Sequence, residues 1–188
     1  NVHNLLTRLM SGNTLVFDLE SNGLLNDVTR IHCLVIYEQE SDNTLVYNDE
    51  GDHEPITRGV QRLEDADVII GHNIIGYDIP CLRKIYPWFS PTALVVDTLL
   101  LSRLYHTDMM AIDMSRRVNS MPTQLYSRHS LEAWGHRLLE YKGSFGKHTD
   151  WQEWSQEMQD YCIQDVNVTR KLCDHFQKYL NGSCLNTK

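Results

Sequence analysis

Three short stretches of the sequence combine carboxylates with an amide or a phenol: DLE at 18–20, NIIGYD at 73–78 and YCIQD at 161–165. In the third stretch, Tyr161 and Asp165 are four residues apart, a spacing that places both side chains on one face of a helix. A phenol and a carboxylate would then share one small volume. The spacing therefore predicts a polar site on that face, and its chemistry depends on what lies beside it.

The first stretch places two carboxylates on one side of a strand. Asp18 and Glu20 end an apolar run and are separated by the period of two that a strand requires, so both project to the same side. Two carboxylates held that close repel each other unless a cation lies between them. A simpler explanation is that the strand has already ended and that Glu20 lies in solvent.

The second stretch follows the apolar segment 68–70, at the end of a predicted strand, where α/β sheets tend to bind their ligands. Taken alone, Asp78 is equally well explained as the N-cap of the next helix, and Asn73 as a residue that satisfies loop backbone. Asp165 could likewise lie on a solvated helix face. Three such stretches favour a shared site, because the simpler explanation would have to hold three times.

The carboxylates of these stretches form an oxygen-only ligand set, made of Asp18, Glu20, Asp78 and Asp165. Hard ions such as Mg²⁺ and Mn²⁺ take such ligands and usually keep several waters. A pair of these ions about 3.5 to 4 Å apart clamps the attacking and leaving oxygens of an in-line phosphoryl displacement. The predicted chemistry is therefore phosphodiester hydrolysis.

Hydrophobic periodicity predicts the elements that position these residues. Strands are predicted at residues 14–19, 31–38, 44–48, 67–71 and 94–97. Helices are predicted at residues 58–66, 98–105, 130–141 and 151–180. The segment 107–128, with a proline at 122, is predicted to be long and irregular. Three consecutive strands followed by mixed strands and helices indicate an α/β fold with helices packed on a sheet, whose strand order the pattern does not give.

Length and composition predict a single domain over residues 1–188, with an N-terminal extension (1–13) and a polar C-terminal tail (181–188). No apolar run approaches the roughly 20 residues of a membrane helix, and no signal peptide is visible. The five cysteines form no CxxC pair and are interpreted as reduced intracellular thiols. The net charge of −8 argues against a broad basic surface for nucleic acid. It does not exclude a nucleic-acid enzyme, because bound cations can reverse the local charge.

In this order, the three stretches resemble the proofreading 3′-5′ exonuclease domain of family A DNA polymerases, in the DEDD superfamily. The resemblance runs from about residue 14 to about residue 180. Its nearest form is the polymerase of T-odd short-tailed phages, which also shares the stretches DTL at 97–99, LSRL at 101–104 and HSLEAWG at 129–135.

The superfamily divides by the residue that orients the attacking water. The histidine class has a histidine five residues before the last aspartate, where this chain has Asp160. Tyr161, four residues before Asp165, instead identifies the chain as a member of the tyrosine class, DEDDy.

The resemblance implies a ribonuclease H-like (DnaQ-like) fold, in which helices flank a central mixed β-sheet, and two divalent metal ions, Mg²⁺ or Mn²⁺. It implies that Asp18, Glu20 and Asp165 bind the first ion, and that Asp18 bridges to a second ion supported through water by Asp78. Tyr161 would hydrogen-bond the attacking water. The pKa of a phenol is ordinarily about 10, so orienting the water suits Tyr161 better than removing its proton.

Leu24, Asn73 and Tyr77 match family positions that contact the terminal nucleotide, although Leu24 could instead pack on the core. Asp97 is interpreted as the N-cap of the helix that starts at residue 98 and is left out of the metal set. Five basic residues could contact phosphates or simply belong to a solvated loop. They are Arg116, Arg117, Arg128, Lys142 and Lys147.

The implied function is metal-dependent hydrolysis of DNA from 3′ ends, with release of nucleoside 5′-monophosphates, as proofreading in phage DNA replication in the cytoplasm of a bacterial host. The substrate would be single-stranded or frayed 3′ ends. Because the chain stops where a polymerase would begin, it is interpreted either as a separately encoded exonuclease, with a polymerase subunit as partner, or as a fragment.

Two other functions remain open on this fold. One is trimming of RNA 3′ ends, since only the resemblance favours DNA over RNA. The other is a nucleic-acid-binding module without catalysis, which the presence of all four acids and the tyrosine disfavours. The sequence does not indicate the oligomeric state.

Overall fold

The structure is a computed structural model that describes residues 12–50, 52–140 and 150–180. Five strands form one sheet: β1 (Thr14–Ser21), β2 (Ile31–Glu38), β3 (Asn43–Tyr47), β4 (Val68–Gly71) and β5 (Leu94–Asp97). Their order is β3-β2-β1-β4-β5. β1 pairs with β2 antiparallel and with β4 parallel, and β4 pairs with β5 parallel. The carboxyl ends of β1, β4 and β5 therefore lie along the same edge of a mixed sheet.

Six α-helices are described: α1 (Ile56–Glu64), α2 (Asp78–Ile85), α3 (Thr98–Tyr105), α4 (Met109–Arg116), α5 (Leu131–Arg137) and α6 (Gln156–Leu180), with a 3₁₀ turn at Thr123–Leu125. In the three described ranges, no helix is both long and apolar enough to cross a membrane. Residues 1–11 of the predicted extension, the predicted tail, Lys142 and Lys147 lie outside the described residues.

Different helices cover the two faces of the sheet, and the side chains of β1 alternate between those faces. Leu15, Phe17 and Leu19 pack on one face with apolar side chains of α1 and α2. Val16 packs on the other face, where Cys162 and Val166 of α6 contact it. Since side chains on a strand alternate, Asp18 and Glu20 share the face of Val16 and point toward α6.

A third apolar cluster joins the helices beyond the edge of the sheet. Met109 of α4, Trp134 of α5 and three residues of α6 are buried together there: Val168, Leu172 and Phe176. α6 therefore packs on the sheet through Cys162, Val166 and, further along, Cys173, while other residues of its second half pack on the neighbouring helices. This double anchorage fixes where the side chains of its first half project.

The predicted strands are confirmed to within two residues, whereas two helix predictions and the predicted irregular segment need correction. The prediction that 107–128 is irregular is wrong for α4, which is stabilised by tertiary contacts: Met109 is buried, and Asp113 pairs with Arg137 of α5 at 2.8 Å. The helix predicted from residue 151 starts instead at Gln156, where the Ser155 hydroxyl accepts a hydrogen bond from the Met158 amide. The helix predicted at 130–141 ends at Arg137.

Candidate active site

The four predicted carboxylates come from three elements, at the edge of the sheet where β1 ends. Asp18 and Glu20 lie on β1, Asp78 is the first residue of α2, and Asp165 lies on α6. The carboxylate of Asp18 is electrostatically coupled to those of Asp78, Asp165 and Glu20. The structure therefore brings together all four carboxylates that the sequence singled out.

Tyr161 and Asp165 project side by side from α6, as their spacing predicts. A hydrogen bond joins the Tyr161 phenol to the Asp165 carboxyl group. Burial, followed by the negative charges of Asp165, Glu20 and Asp18, raises the pKa of Tyr161 far above its ordinary value. The phenol is therefore neutral across the physiological range, and it can donate a hydrogen bond but cannot act as a base.

Burial raises the pKa of every carboxyl group in the cluster, and repulsion within the cluster raises it further for Asp18 and Glu20. For Asp18, burial is the largest cause, followed by the charges of Asp78, Asp165 and Glu20. Glu20 shows the same direction, caused by burial and then by Asp165. Such a cluster can remain ionised at neutral pH when cations offset the repulsion. The donor set thus fits divalent metal ions.

The other two carboxyl groups have pKa values of about 7, and each is also held by hydrogen bonds. Burial raises the pKa of Asp78, while the backbone amides of Asp78 and Leu19 partly offset it. Burial also raises the pKa of Asp165, while the bond from Tyr161 acts in the opposite direction. The simpler explanation of Asp78 as an N-cap is wrong, because Tyr77 occupies that position.

Asp97 confirms its predicted capping role and also fixes the loop that carries Asn73. Its carboxylate accepts hydrogen bonds from the amides of Leu99 (2.9 Å), Asn73 (2.9 Å) and Ile75 (3.1 Å). Asn73 adopts a left-handed backbone with φ of 64°. A Cβ at Gly76 would lie 2.6 Å from Asn73 Oδ1, so a side chain there would displace the Asn73 amide. Asp97 thus positions a predicted substrate contact.

Tyr77 and Leu24 are neighbours through the loop that follows β1. The Tyr77 hydroxyl bonds with the Ser21 hydroxyl and donates to the carbonyl oxygen of Gly23. Leu24, the next residue, is 77% exposed, so the alternative that it packs on the core is wrong. An exposed leucine beside a fixed tyrosine offers an apolar surface at this edge of the sheet.

Of the three predicted basic residues that are described, Arg128 shares a cleft with Asn73. The cleft has a volume of about 460 Å³, and Arg103 of α3 also lines it. Arg116 ends α4, and Arg117 follows it in a left-handed conformation; neither lines this cleft. Arg103 is not among the predicted phosphate contacts, although it lies inside the LSRL stretch that carried part of the resemblance.

The sequence analysis also missed two thiols and one further acid. The Cys162 thiol donates a hydrogen bond to Asp18 Oδ2 at 3.5 Å, and Cys33 is paired with Glu20 across β1 and β2. The negative charge of Glu132, on α5, raises the pKa of Asp165. The available signal for Cys162 was its position directly after Tyr161, which the interpretation of all cysteines as ordinary thiols overlooked.

Two curated relatives match the chain. The DNA-directed DNA polymerase of Escherichia phage T7 is 32% identical over 182 residues, and that of Enterobacteria phage T3 is 34% identical over 183 residues. Each match covers 85% of this chain and 26% of the polymerase, so the chain spans about a quarter of the length of these relatives. No protein-family model matches the chain.

Solved structures of low sequence identity share the fold. Brucella melitensis NrnC bound to pGG has a TM-score of 0.61 and 18% identity, over 92% of this chain and 76% of NrnC. NrnC with bound Mg²⁺ has a TM-score of 0.60 and 18% identity, over 94% of this chain and 77% of NrnC. The zinc-bound complex of E. coli ExoI with single-stranded DNA has a TM-score of 0.51 and 17% identity, over 91% of this chain and 42% of ExoI.

The sheet order and these likenesses define the class as the ribonuclease H-like, DnaQ-like exonuclease fold. Within that class, the chain resembles the exonuclease domain of the DNA polymerases of phages T7 and T3. The family resemblance and the fold expected from the three motifs are therefore confirmed.

Proposed function

We propose that this chain is a metal-dependent 3′-5′ exonuclease that hydrolyses DNA from 3′ ends and releases nucleoside 5′-monophosphates. The observation that carries the proposal is the convergence of Asp18, Glu20, Asp78 and Asp165 on one coupled site, with Tyr161 hydrogen-bonded to Asp165. The same observation disfavours a binding module without catalysis, since no catalytic side chain of the tyrosine class is missing.

The carboxylates would hold two divalent ions, Mg²⁺ or Mn²⁺. Asp18, Glu20 and Asp165 would bind one ion, and Asp18 would also hold the other, which Asp78 would support through water. When bound, such ions lower the pKa of a water and neutralise charge that develops on the phosphate. The fold shared with the Mg²⁺-bound NrnC supports this choice of ion.

Tyr161 would position the attacking water. Its phenol is neutral and is held against Asp165, so the hydroxyl has a fixed location beside the carboxylates. Because its one proton is donated to Asp165, the phenol oxygen would accept a hydrogen bond from the water, and a fixed acceptor limits the directions from which the water can approach the phosphorus atom. Another group would remove the proton from the water, because a phenol with so high a pKa is not ionised at neutral pH and cannot act as a base.

The terminal nucleotide would lie against Leu24, Asn73 and Tyr77. The Tyr77 hydroxyl is already bonded to Ser21 and Gly23, which leaves its ring as the contact surface. The DNA strand would continue through the cleft lined by Arg103 and Arg128, whose guanidinium groups can bind its phosphates. The fold shared with the ExoI complex supports a single-stranded substrate, because that structure contains single-stranded DNA.

The biological role that we propose is proofreading in phage DNA replication, in the cytoplasm of a bacterial host. The support is the identity to two phage polymerases, which comes from about a quarter of their length. A DNA polymerase, in the same chain or as a separate subunit, is accordingly the proposed partner.

The test uses 5′-labelled single strands of DNA and RNA with Mg²⁺, with Mn²⁺ and with chelator. We expect stepwise shortening of DNA from its 3′ end that requires metal and is lost in Asp18→Ala. Asp65→Ala is the matched control, because Asp65 is an exposed carboxylate at the end of α1. Internal cuts, chelator-resistant activity or full activity in Asp18→Ala would contradict the proposal, and shortening of RNA alone would replace it by the RNA-trimming alternative.

A further inference from the structure

Two cysteine thiols lie beneath the carboxylate cluster, on the side away from solvent. Cys162 follows Tyr161 on α6, is fully buried and donates to Asp18 Oδ2 at 3.5 Å. Cys33 is also fully buried and contacts the Cys162 thiol, and it lies opposite Glu20 in the β1–β2 ladder. The site that sequence analysis described as oxygen-only therefore has sulfur along one wall.

One thiol is near enough to the carboxylates to share an ion with them. The Cys162 sulfur and one carboxylate oxygen each of Asp18 and Glu20 all lie within 4.8 Å of one another. Ligand atoms of a four-coordinate zinc ion are roughly 3 to 4 Å apart, given Zn–S of about 2.3 Å and Zn–O of about 2.0 to 2.2 Å. A small inward movement of these side chains would complete three of the four ligand positions.

Hard and soft cations should therefore use this pocket differently. Mg²⁺ prefers oxygen ligands and gains little from a thiol, whereas Zn²⁺ and Cd²⁺ bind thiolate strongly. A soft ion would be drawn to the buried wall, away from Tyr161 and toward Cys162. It would still occupy Asp18 and Glu20, which the proposed reaction needs for its own ions.

We propose that Cys162, Asp18 and Glu20 form a site for thiophilic divalent cations, and that such an ion inhibits the enzyme by occupying two of its carboxylates. Formation of the sulfur–metal bond releases the thiol proton to the buffer, and no oxidant or reductant is involved. Binding of the ion is independent of the proposed function, whereas the inhibition rests on it.

The binding test uses Cd²⁺ alone and the ultraviolet charge-transfer band of cadmium thiolate. All proteins carry Cys184→Ser, because Cys184 lies outside the described residues. We expect the band in this background, and we expect Cys162→Ser, which keeps a hydroxyl in place of the thiol, to lose it. Cys173→Ser is the matched control, since Cys173 lies further along α6, away from the carboxylates, and its replacement should leave the band unchanged.

A second variant keeps the test decisive if Cys162→Ser folds poorly, which far-ultraviolet circular dichroism would reveal. Asp18→Asn retains the thiol but removes a carboxylate ligand, so the apparent affinity for Cd²⁺ should fall roughly tenfold or more. An absent band in the background protein, a band retained in Cys162→Ser or an unchanged affinity in Asp18→Asn would each overturn the proposed site.

The inhibition test measures Mg²⁺-dependent shortening of DNA with increasing Zn²⁺, each variant being normalised to its own rate without Zn²⁺. We expect the Zn²⁺ concentration for half inhibition to rise roughly tenfold or more in Cys162→Ser and to stay unchanged in Cys173→Ser. Equal sensitivity of Cys162→Ser and Cys173→Ser would overturn the inhibitory role. Lack of nuclease activity in every protein would contradict the proposed function and the inhibitory role while leaving the cadmium result intact.

Discussion

At the scale of single residues, Tyr161 and Asp165 are four positions apart on α6, and this spacing brings the phenol and the carboxyl group into hydrogen-bonding contact. The hydrogen bond between them holds the phenol beside the carboxylate cluster, and burial, together with the surrounding negative charges, raises its pKa and keeps it neutral. Orientation is therefore the contribution that this residue can make to hydrolysis. Its removal should affect the reaction rate while leaving the metal ligands in place.

We expect Tyr161→Phe to lower kcat on single-stranded DNA by roughly tenfold to a hundredfold, because the water loses a fixed hydrogen-bonding partner. Binding of Mg²⁺, measured by its effect on Tm, should be preserved. Tyr37→Phe is the matched control, since its hydroxyl donates to Asp42 on the surface instead. An unchanged kcat in Tyr161→Phe would show that another group positions the water.

At the scale of elements, the parts of the fold that could be predicted are those with local signals. β2 and β5 were predicted to the residue, because each is a run rich in β-branched residues that ends at an acidic residue, Glu38 in β2 and Asp97 in β5. The candidate site followed from three motifs on β1, α2 and α6. Asp78 shows the limit, because its two interpretations could be separated only by seeing Tyr77 at the N-cap.

α4 could not be predicted, because contacts distant in sequence stabilise it. Burial would raise the pKa of Asp113, but hydrogen bonds from Arg137 and from the Ser127 amide lower it overall. The pair is almost completely removed from water, with side-chain exposures of 1% for Arg137 and 2% for Asp113. In the sequence, Asp113 lies on a short segment with weak hydrophobic periodicity, and nothing there indicates that Arg137 is its partner.

Asp113→Ala should therefore lower the free energy of unfolding by roughly 3 to 5 kcal/mol, because it leaves the Arg137 charge buried without its partner. The matched control is Glu50→Ala, whose ion pair with Arg30 is exposed and should contribute roughly 1 kcal/mol or less. Urea unfolding followed by circular dichroism measures both. Similar losses in the two variants would contradict the role assigned to burial.

At the scale of the whole molecule, the carboxylate cluster links stability to pH and to metal. The pKa values of Asp78 and Asp165 are about 7 in the folded protein, well above the ordinary value of about 4 for aspartate. Between about pH 4 and pH 7, the folded state then binds more protons than the unfolded state. Without metal, these two groups make the fold less stable as pH rises through that window.

In chelator, we expect Asp165→Asn to raise Tm relative to the parent at pH 8 and to have little effect at pH 5, where Asp165 is already protonated. Mg²⁺ should raise the Tm of the parent more at pH 8 than at pH 5, and it should raise that of Asp165→Asn less. Each kcal/mol corresponds to roughly 2 to 4 °C in a protein of this size. Asp65→Asn is the control, and equal effects of Mg²⁺ at the two pH values would contradict the linkage.

β1 and α6 lie near opposite ends of the described chain, yet together they supply Asp18, Glu20, Tyr161 and Asp165. During synthesis, a ribosome must therefore release nearly all of this chain before α6 can reach the sheet. In the proposed nuclease, the metal ligands would therefore come together only when α6 docks on β1.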